Sequence, residues 1–401
     1  MLREYLEAAG VECELFARVP ERANLVARIR GRGDGPSLAF LSHTDVVLAD
    51  PKEWDHPPFA AELADDHVWG RGALDMKGEV AASAVAMATL AREGWRGDGD
   101  LIFIAAADEE GGTGYGLRWL VENHPDAARA DFSVNEGAGE RAVFGDKVVY
   151  LCATAEKMTS PFRLSVHGRT GHASMPGIAD NALVKAGPLL TRLGEFSVEP
   201  QLIPEVEALF AAVLGEVPPA SEVLALASSI DPLAVELVAP LLGMTVSPTM
   251  ITASAKRNVI PGLVEIAIDC RILPGQTPAD AEAAIRAWLA PVASGDWDLV
   301  NVEQHGGTRS PLEGPLWDAV ASFVSVEEPG AVAAPVCVAG FTDSHWMRDA
   351  FGTVAYGFFP ARMDPAVSAR LIHSANERVP VADLELGVRW LRHAAQTVCT
   401  S

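Results

Sequence analysis

Apolar positions in the first part of the chain follow two rhythms. Leu2, Tyr5, Leu6 and Ala9 recur at helical spacing, with Gly10 placed to end the helix. Val11, Cys13 and Leu15 alternate as in a half-buried strand, and residues 24–29 predict a second strand. Residues 37–41 and 101–107 are unbroken runs of small and branched side chains. Such runs predict strands buried on both faces, which belong in the middle of an α/β sheet. Between them, residues 78–93 predict a helix whose Ala81, Ala82, Ala84, Ala86 and Ala88 permit close approach to a sheet, with Gly94 as its stop. Residues 130–134 predict a third buried strand.

Near Glu156 the pattern changes. Residues 161–168 and 263–271 alternate strictly, as in a sheet with one covered face. Helices near 181–193 and 278–289 and a strand near 297–302 complete a β-α-β-β-α-β-like unit, while residues 196–246 read as apolar helical segments broken by proline. A helix near 312–324, buried strands near 331–337 and 353–358, and an amphipathic helix through Leu384, Val388, Leu391 and Ala395 then restore the first pattern. The expected architecture is α/β: a mixed-sheet domain in two parts, 1–156 and 307–401, with an α+β unit, 157–306, inserted between them.

A chain of 401 residues favours two or three domains. Its 31 Lys and Arg against 54 Asp and Glu give a net charge of −23, which repels phosphate backbones and anionic lipid, so neither nucleic acid nor membrane is an expected partner. Cys13, Cys152, Cys270, Cys337 and Cys399 stand singly, against both a disulfide framework and a thiolate zinc site. No apolar run approaches a membrane span, and residues 1–5 lack the order of a secretory signal. A soluble cytoplasmic protein is the expectation.

Candidate chemistry sits where the buried strands end. The 101–107 run stops at Asp108, Glu109 and Glu110, three adjacent carboxylates that a cation makes tolerable. The 37–41 run leads to His43 and Asp45, which strand periodicity aims to the same side, and the 130–134 run leads to Glu136. Each has an ordinary explanation: a solvated helix start, a core histidine beside a turn acid, or a helix cap in the case of Asp75. The recurrence favours a metal, because ligands of open α/β sheets bind outside the carboxyl ends of the strands. Histidine and carboxylate without cysteine suit zinc, cobalt or manganese. The glycines at 111, 112, 114 and 116 make a poor phosphate loop, since acids precede them and no Lys-Ser/Thr follows.

Six segments together, Ser42–Asp45, Gly70–Gly78, Asp108–Glu110, Asn135–Gly137, His167–Ser174 and His373–Glu377, resemble a known family in order and over nearly the whole chain. It is the co-catalytic zinc metallopeptidase family (M20) of aminoacylase-1, succinyl-diaminopimelate desuccinylase, acetylornithine deacetylase and glutamate carboxypeptidase. The resemblance implies a phosphorylase/hydrolase-like catalytic domain of the zinc-exopeptidase type, with a ferredoxin-like lid through which two chains dimerise. It implies two divalent metal ions, most often zinc, one held by His43, Asp75 and Glu136 and the other by Asp75, Glu110 and His373. Glu109 would be the general base, and Asp45 would hydrogen-bond His43 and fix its tautomer. His172 would reach the partner's site to stabilise an oxyanion, and Asn258 and Arg271 would hold a substrate carboxylate. The family often has a cis peptide after the bridging aspartate, here Asp75-Met76.

Three departures from the family pattern stand out. His345 occupies a place where arginine is common, a helical segment would be expected before Leu2, and residues 196–246 imply a larger lid. The expected activity is removal of an acyl group from an N-acyl amino acid, or cleavage of a short peptide with a free carboxylate. Glu136, where dipeptidase branches tend to have Asp, tilts the expectation toward a deacylase or carboxypeptidase. A dipeptidase or aminopeptidase of the same architecture, and a non-catalytic protein that senses an amino-acid derivative, are the competing readings.

Overall fold

The computed structural model describes residues 1–112, 114–230, 235 and 238–400. In chain order, β1 (Glu12–Ala17), β2 (Ala23–Ile29), β3 (Leu38–His43), α1 (Lys77–Arg92), β4 (Leu101–Ala106), β5 (Phe132–Asn135) and β6 (Lys147–Glu156) come first. Next are β7 (Phe162–His167), α2 (Ala182–Gly194), β8 (Thr245–Thr252), β9 (Leu263–Ile272), α3 (Pro278–Leu289) and β10 (Trp297–Asn301). The chain returns through α4 (Pro315–Glu327), β11 (Val332–Val338), α5 (Ser344–Phe351), β12 (Val354–Gly357) and α6 (Val381–Val398).

The larger sheet is mixed and nine-stranded, ordered β1-β2-β4-β3-β5-β12-β6-β11, with Arg141–Phe144 paired to β6. Its four central strands β4, β3, β5 and β12 are parallel, so their carboxyl ends share one edge. Register puts Leu38 opposite Leu101 and His43 opposite Ala106. Every residue of β3 and β4 is buried, as unbroken apolar runs require, because helices cover both faces. On one face the alanines of α1 pack with α6, whose wholly buried Trp390 meets Phe358 edge-on at 4.9 Å. On the other, Leu117, Leu120 and Met347 close over Ile102 and Ile104. The alternation expected at Val11, Cys13 and Leu15 fails at Leu15, which is 48% exposed, because β1 is an outermost strand with no buried residue.

The second sheet is antiparallel, with β10-β7-β9 in order and β8 on the far side of β9. β9 alternates buried and half-buried positions, and its inward Val264, Ile266 and Ile268 meet Leu189 of α2 and Ile285 of α3. β8 is the element that sequence periodicity missed. It is an edge strand whose register shifts between Pro248 and Met250, and a proline at a bulge with an exposed face erases alternation. The helical expectation for 196–246 holds at Pro204–Leu214 and Val223–Ile230, and its remainder includes positions outside the described residues.

The chain crosses between sheets at Glu156 and Lys157. The Glu156 carboxylate accepts from Thr342 N at 3.0 Å and Thr308 Oγ1 at 2.8 Å. Lys157 is fully buried and donates to the Pro240 and Gly243 carbonyls, each at 2.8 Å, and burial pushes its pKa down to about 8. The five cysteines are unpaired, and the Asp75-Met76 peptide is cis. Among the described residues, no helix is long and apolar enough to cross a membrane.

Candidate metal centre

His43 is the last residue of β3, Glu109 and Glu110 follow β4, and Glu136 follows β5, so three parallel strands deliver four side chains to one edge of the sheet. Asp75 arrives from the loop before α1, and His373 from the loop before α6. The two oxygens of Asp75 face two different histidines. Oδ1 is 3.0 Å from His43 Nε2, and Oδ2 is 3.0 Å from His373 Nε2. Glu136 Oε1 is 3.6 Å from His43 Nε2, and Glu110 Oε1 is 3.2 Å from His373 Nε2. Two groups result, His43-Asp75-Glu136 and Asp75-Glu110-His373, each with ligand atoms within 4.8 Å of one another and with Asp75 common to both.

These donors suit divalent cations. Burial alone would push His43 down, but its contacts with Asp45, Asp75 and Glu136 outweigh that and raise its pKa. Burial likewise opposes Asp75, yet His43 and His373 hold it below the usual carboxylate range. Glu109 goes the other way. Burial, then the nearby carboxylates of Glu136 and Asp343, push it up to about 10, while burial and Asp75 raise Glu110. Glu110 Oε1 is a buried oxygen that makes no hydrogen bond, its contact with His373 Nε2 being an ion-pair distance only. A crowded set of carboxylates and imidazoles with an orphaned oxygen is one that dications bind.

Two of the expected roles are altered by the geometry. Asp45 meets His43 Nδ1 through its backbone carbonyl, at 3.1 Å, with its carboxylate at 3.6 Å. The carboxylate accepts from the backbone N–H of Glu109 at 3.2 Å and of Glu110 at 3.1 Å, and so sets the loop that carries both. Asp108 turns away from the cleft to Arg22 Nη1, at 2.7 Å, and Tyr115 N, at 2.9 Å. Only two of the three adjacent acids therefore enter the cleft.

Sequence reasoning overlooked Glu377 and Glu79. Glu377 is wholly buried and accepts from Arg71 Nη1 at 2.6 Å, Gly72 N at 3.0 Å, Leu74 N at 2.8 Å and Asp75 N at 3.0 Å. It lies four residues beyond His373 and pins the loop bearing the shared aspartate. The only signal was its place at the end of the last motif. Glu79, in the first turn of α1, lines the same cavity as Glu109, Glu110, Glu136 and His373, and burial raises its pKa well above the usual range. An acid at a helix start, one residue past the Gly70–Gly78 segment, gave no reason to single it out.

His172, Asn258 and Arg271 are not brought to this cavity within one chain, since none lines it. His172 is exposed on a two-residue ladder opposite Val259, and its Nδ1 accepts from Ser174 Oγ at 2.7 Å. Asn258 is exposed beside that ladder, its carbonyl accepting from Ala173 N. Arg271 forks onto Asp269, with Nε at 2.9 Å and Nη2 at 3.1 Å, and donates from Nη1 to Thr159 Oγ1 at 2.6 Å. In the loop that closes the cleft, Asp343 has a buried oxygen without a partner and is raised to about 7, chiefly by burial. His345 beside it is buried against Trp346, with its Nδ1 2.7 Å from the Thr342 carbonyl, and burial lowers its pKa to about 4.

A family model described as peptidase family M20/M25/M40 matches residues 39–397. A succinyl-diaminopimelate desuccinylase of Magnetococcus marinus is 28% identical over 371 residues, covering 90% of this chain and 83% of that protein. Among solved structures, the M20 family metallo-carboxypeptidase Sso-CP2 of Sulfolobus solfataricus superposes with a TM-score of 0.71 at 17% identity, covering 99% of this chain and 93% of that one. The dipeptidase Dug1p of Saccharomyces cerevisiae gives 0.70 at 14% identity, covering 100% and 90%. At these identities the structural likeness speaks for the fold.

Two predictions follow from this geometry. Replacing Glu377 by Ala strands Arg71, whose side chain is 3% exposed, and releases the Asp75 loop. Stability should fall by about 3–5 kcal/mol, and zinc affinity by about 10–100-fold, read by thermal denaturation and by calorimetric titration of metal-free protein. An unchanged affinity would remove the positioning role. The second concerns His345, which is depressed from an unfolded value of 6.5 to about 4. The unfolded chain binds this proton first, so the stability it contributes is present above pH 6.5 and lost as pH falls toward 4, by about 3 kcal/mol at one pKa unit per 1.36 kcal/mol. His345→Phe should flatten the decline of the thermal midpoint across that window, and a parallel decline in both proteins would contradict it.

Proposed function

The chain belongs to peptidase family M20/M25/M40 and is a metal-dependent amide hydrolase, and from that premise we propose a two-metal deacylase acting on N-acyl amino acids. The observation that carries this reading is Asp75, which divides its two oxygens between two histidine-carboxylate groups beside Glu109. His43, Asp75 and Glu136 would hold one ion, and Asp75, Glu110 and His373 the other. When bound, two such ions polarise the amide carbonyl and lower the pKa of water.

The remaining roles belong to the chain itself. Glu109, oriented through its backbone N–H by Asp45, takes the proton of the attacking water as the new C–O bond forms. It returns that proton to the amine nitrogen as the C–N bond breaks, so the products are a carboxylic acid and a free amino acid. Glu109 would stay able to accept a proton near neutrality where ions held at the two groups offset the repulsion from Glu136 and Glu110. The desuccinylase named among the relatives supports an N-acyl amino acid as substrate, and the dipeptidase fold keeps peptide cleavage as the second reading.

We assign the second sheet to a ferredoxin-like lid that pairs two chains. β8 offers an unpaired strand edge with Met250 and Ile251 exposed, next to α2 with Val184 71% exposed. An open edge with apolar side chains suits isologous pairing with a second copy. In that pair His172 would serve the partner's cleft as an oxyanion donor. Asn258 and Arg271, which keeps two of its five N–H donors, would take the substrate carboxylate.

Glu109→Ala should bind zinc as the parent does and lose about 10²–10⁴-fold in kcat on an N-acyl amino acid. Mixed with His172→Ala chains, it should regain part of that activity, because one of the two clefts in a hybrid dimer has both residues. Undiminished turnover by Glu109→Ala would defeat the base. Absence of rescue in a mixture shown to contain hybrids would defeat the shared site.

A further inference from the structure

The cavity beside His373 encloses about 340 Å³, and Asp75, Glu79, Glu109, Glu110, Glu136 and Glu140 all line it. The lining also has an apolar wall of Leu74, Val338, Phe341, Phe359, Met363 and Ile372, and no Lys or Arg is found among the described residues lining the cavity. Arg362 adjoins Met363 in sequence but turns away. Its Nη2 donates to the Glu327 carbonyl at 3.3 Å, and its Nε donates to Tyr150 Oη at 3.4 Å. The carboxyls of the cavity outside the two metal groups and Glu109 are those of Glu79, which is buried, and Glu140.

A carboxylate brought against these apolar side chains loses its hydration and meets no Lys or Arg in the lining, whether Glu79 and Glu140 carry protons or not. An aliphatic chain removes apolar surface from water at the same place. The charged end of an N-acyl amino acid has other candidate partners, Asn258 and Arg271, which lie outside the cavity, so the acyl end is the one left to fill it. We propose that the cavity receives an uncharged, apolar acyl group, so that the enzyme removes aliphatic acyl chains and discriminates against N-succinyl substrates. This rests on the deacylase reading and narrows it: the desuccinylase relatives and this chain would differ in the wall of the cleft while sharing its metal groups.

The test compares N-valeryl-L-alanine with N-succinyl-L-alanine, similar in size and different in charge, on the zinc-loaded full chain. The expected kcat/KM ratio favours the valeryl compound by about 100-fold or more. Met363→Lys places a cation on the wall, and should raise kcat/KM for the succinyl compound at least about tenfold while lowering it for the valeryl compound. Wild-type turnover of the succinyl compound at a rate equal to or above that of the valeryl compound overturns the proposal. The same pair is titrated calorimetrically into zinc-loaded Glu109→Ala, where the valeryl compound should bind more tightly, and tighter binding of the succinyl compound overturns the proposal as well. If the wild type cleaves unblocked dipeptides and neither acyl compound, the deacylase reading falls, and the titration still decides the preference of the cavity.

Discussion

Carboxyl groups crowded into a cleft that excludes water coexist by binding protons or by binding cations. Asp75, Glu79, Glu109, Glu110, Glu136 and Asp343 meet beyond the carboxyl ends of the central strands, and burial and mutual repulsion raise Glu79, Glu109, Glu110 and Asp343 together. Asp75 is held low, since each of its oxygens has an imidazole nitrogen at 3.0 Å. A proton on every raised carboxyl would make the cleft inert as a base. Two dications would meet the same charge and leave Glu109 free to move a proton.

Holding that cluster requires a second set of carboxylates whose work is purely mechanical. Asp45 accepts from the N–H groups of Glu109 and Glu110, Glu377 from those of Gly72, Leu74 and Asp75, and Glu156 from that of Thr342. Each fixes a loop that is distant in sequence and carries a residue of the cleft. Charge-assisted hydrogen bonds to backbone N–H groups are strong and directional, and they place ligands more closely than the loops could place themselves. Gly357 shows how little slack remains. A Cβ there would stand 2.1 Å from the Glu136 carbonyl oxygen, so the strand that crosses behind this ligand admits no side chain.

Much of this was legible in the amino-acid sequence, for physical reasons that differ by element. The buried runs at β3 and β4 and the alternation of β7 and β9 are periodic because their faces are uniformly covered, and those strands stand where periodicity put them. β8 was invisible, since an edge strand with a proline bulge has no uniform face to record. The histidines and acids that meet at Asp75 were found through motifs and strand ends. The contact of Asp45 with His43 was expected from the motif, but whether its carbonyl or its carboxylate makes it cannot be told from spacing. Glu377 and Glu79 were missed because their importance lies in what folds onto them. His172 is exposed and Arg271 is engaged by Asp269, and neither lines the cavity beside Asp75.

Anomalous diffraction from crystals of the zinc-loaded protein tests the central claim most directly. The account predicts two peaks per chain, about 3.5–4 Å apart, one against His43 and Glu136 and the other against Glu110 and His373, with Asp75 between them. A single peak, or two peaks that do not share Asp75, would contradict it.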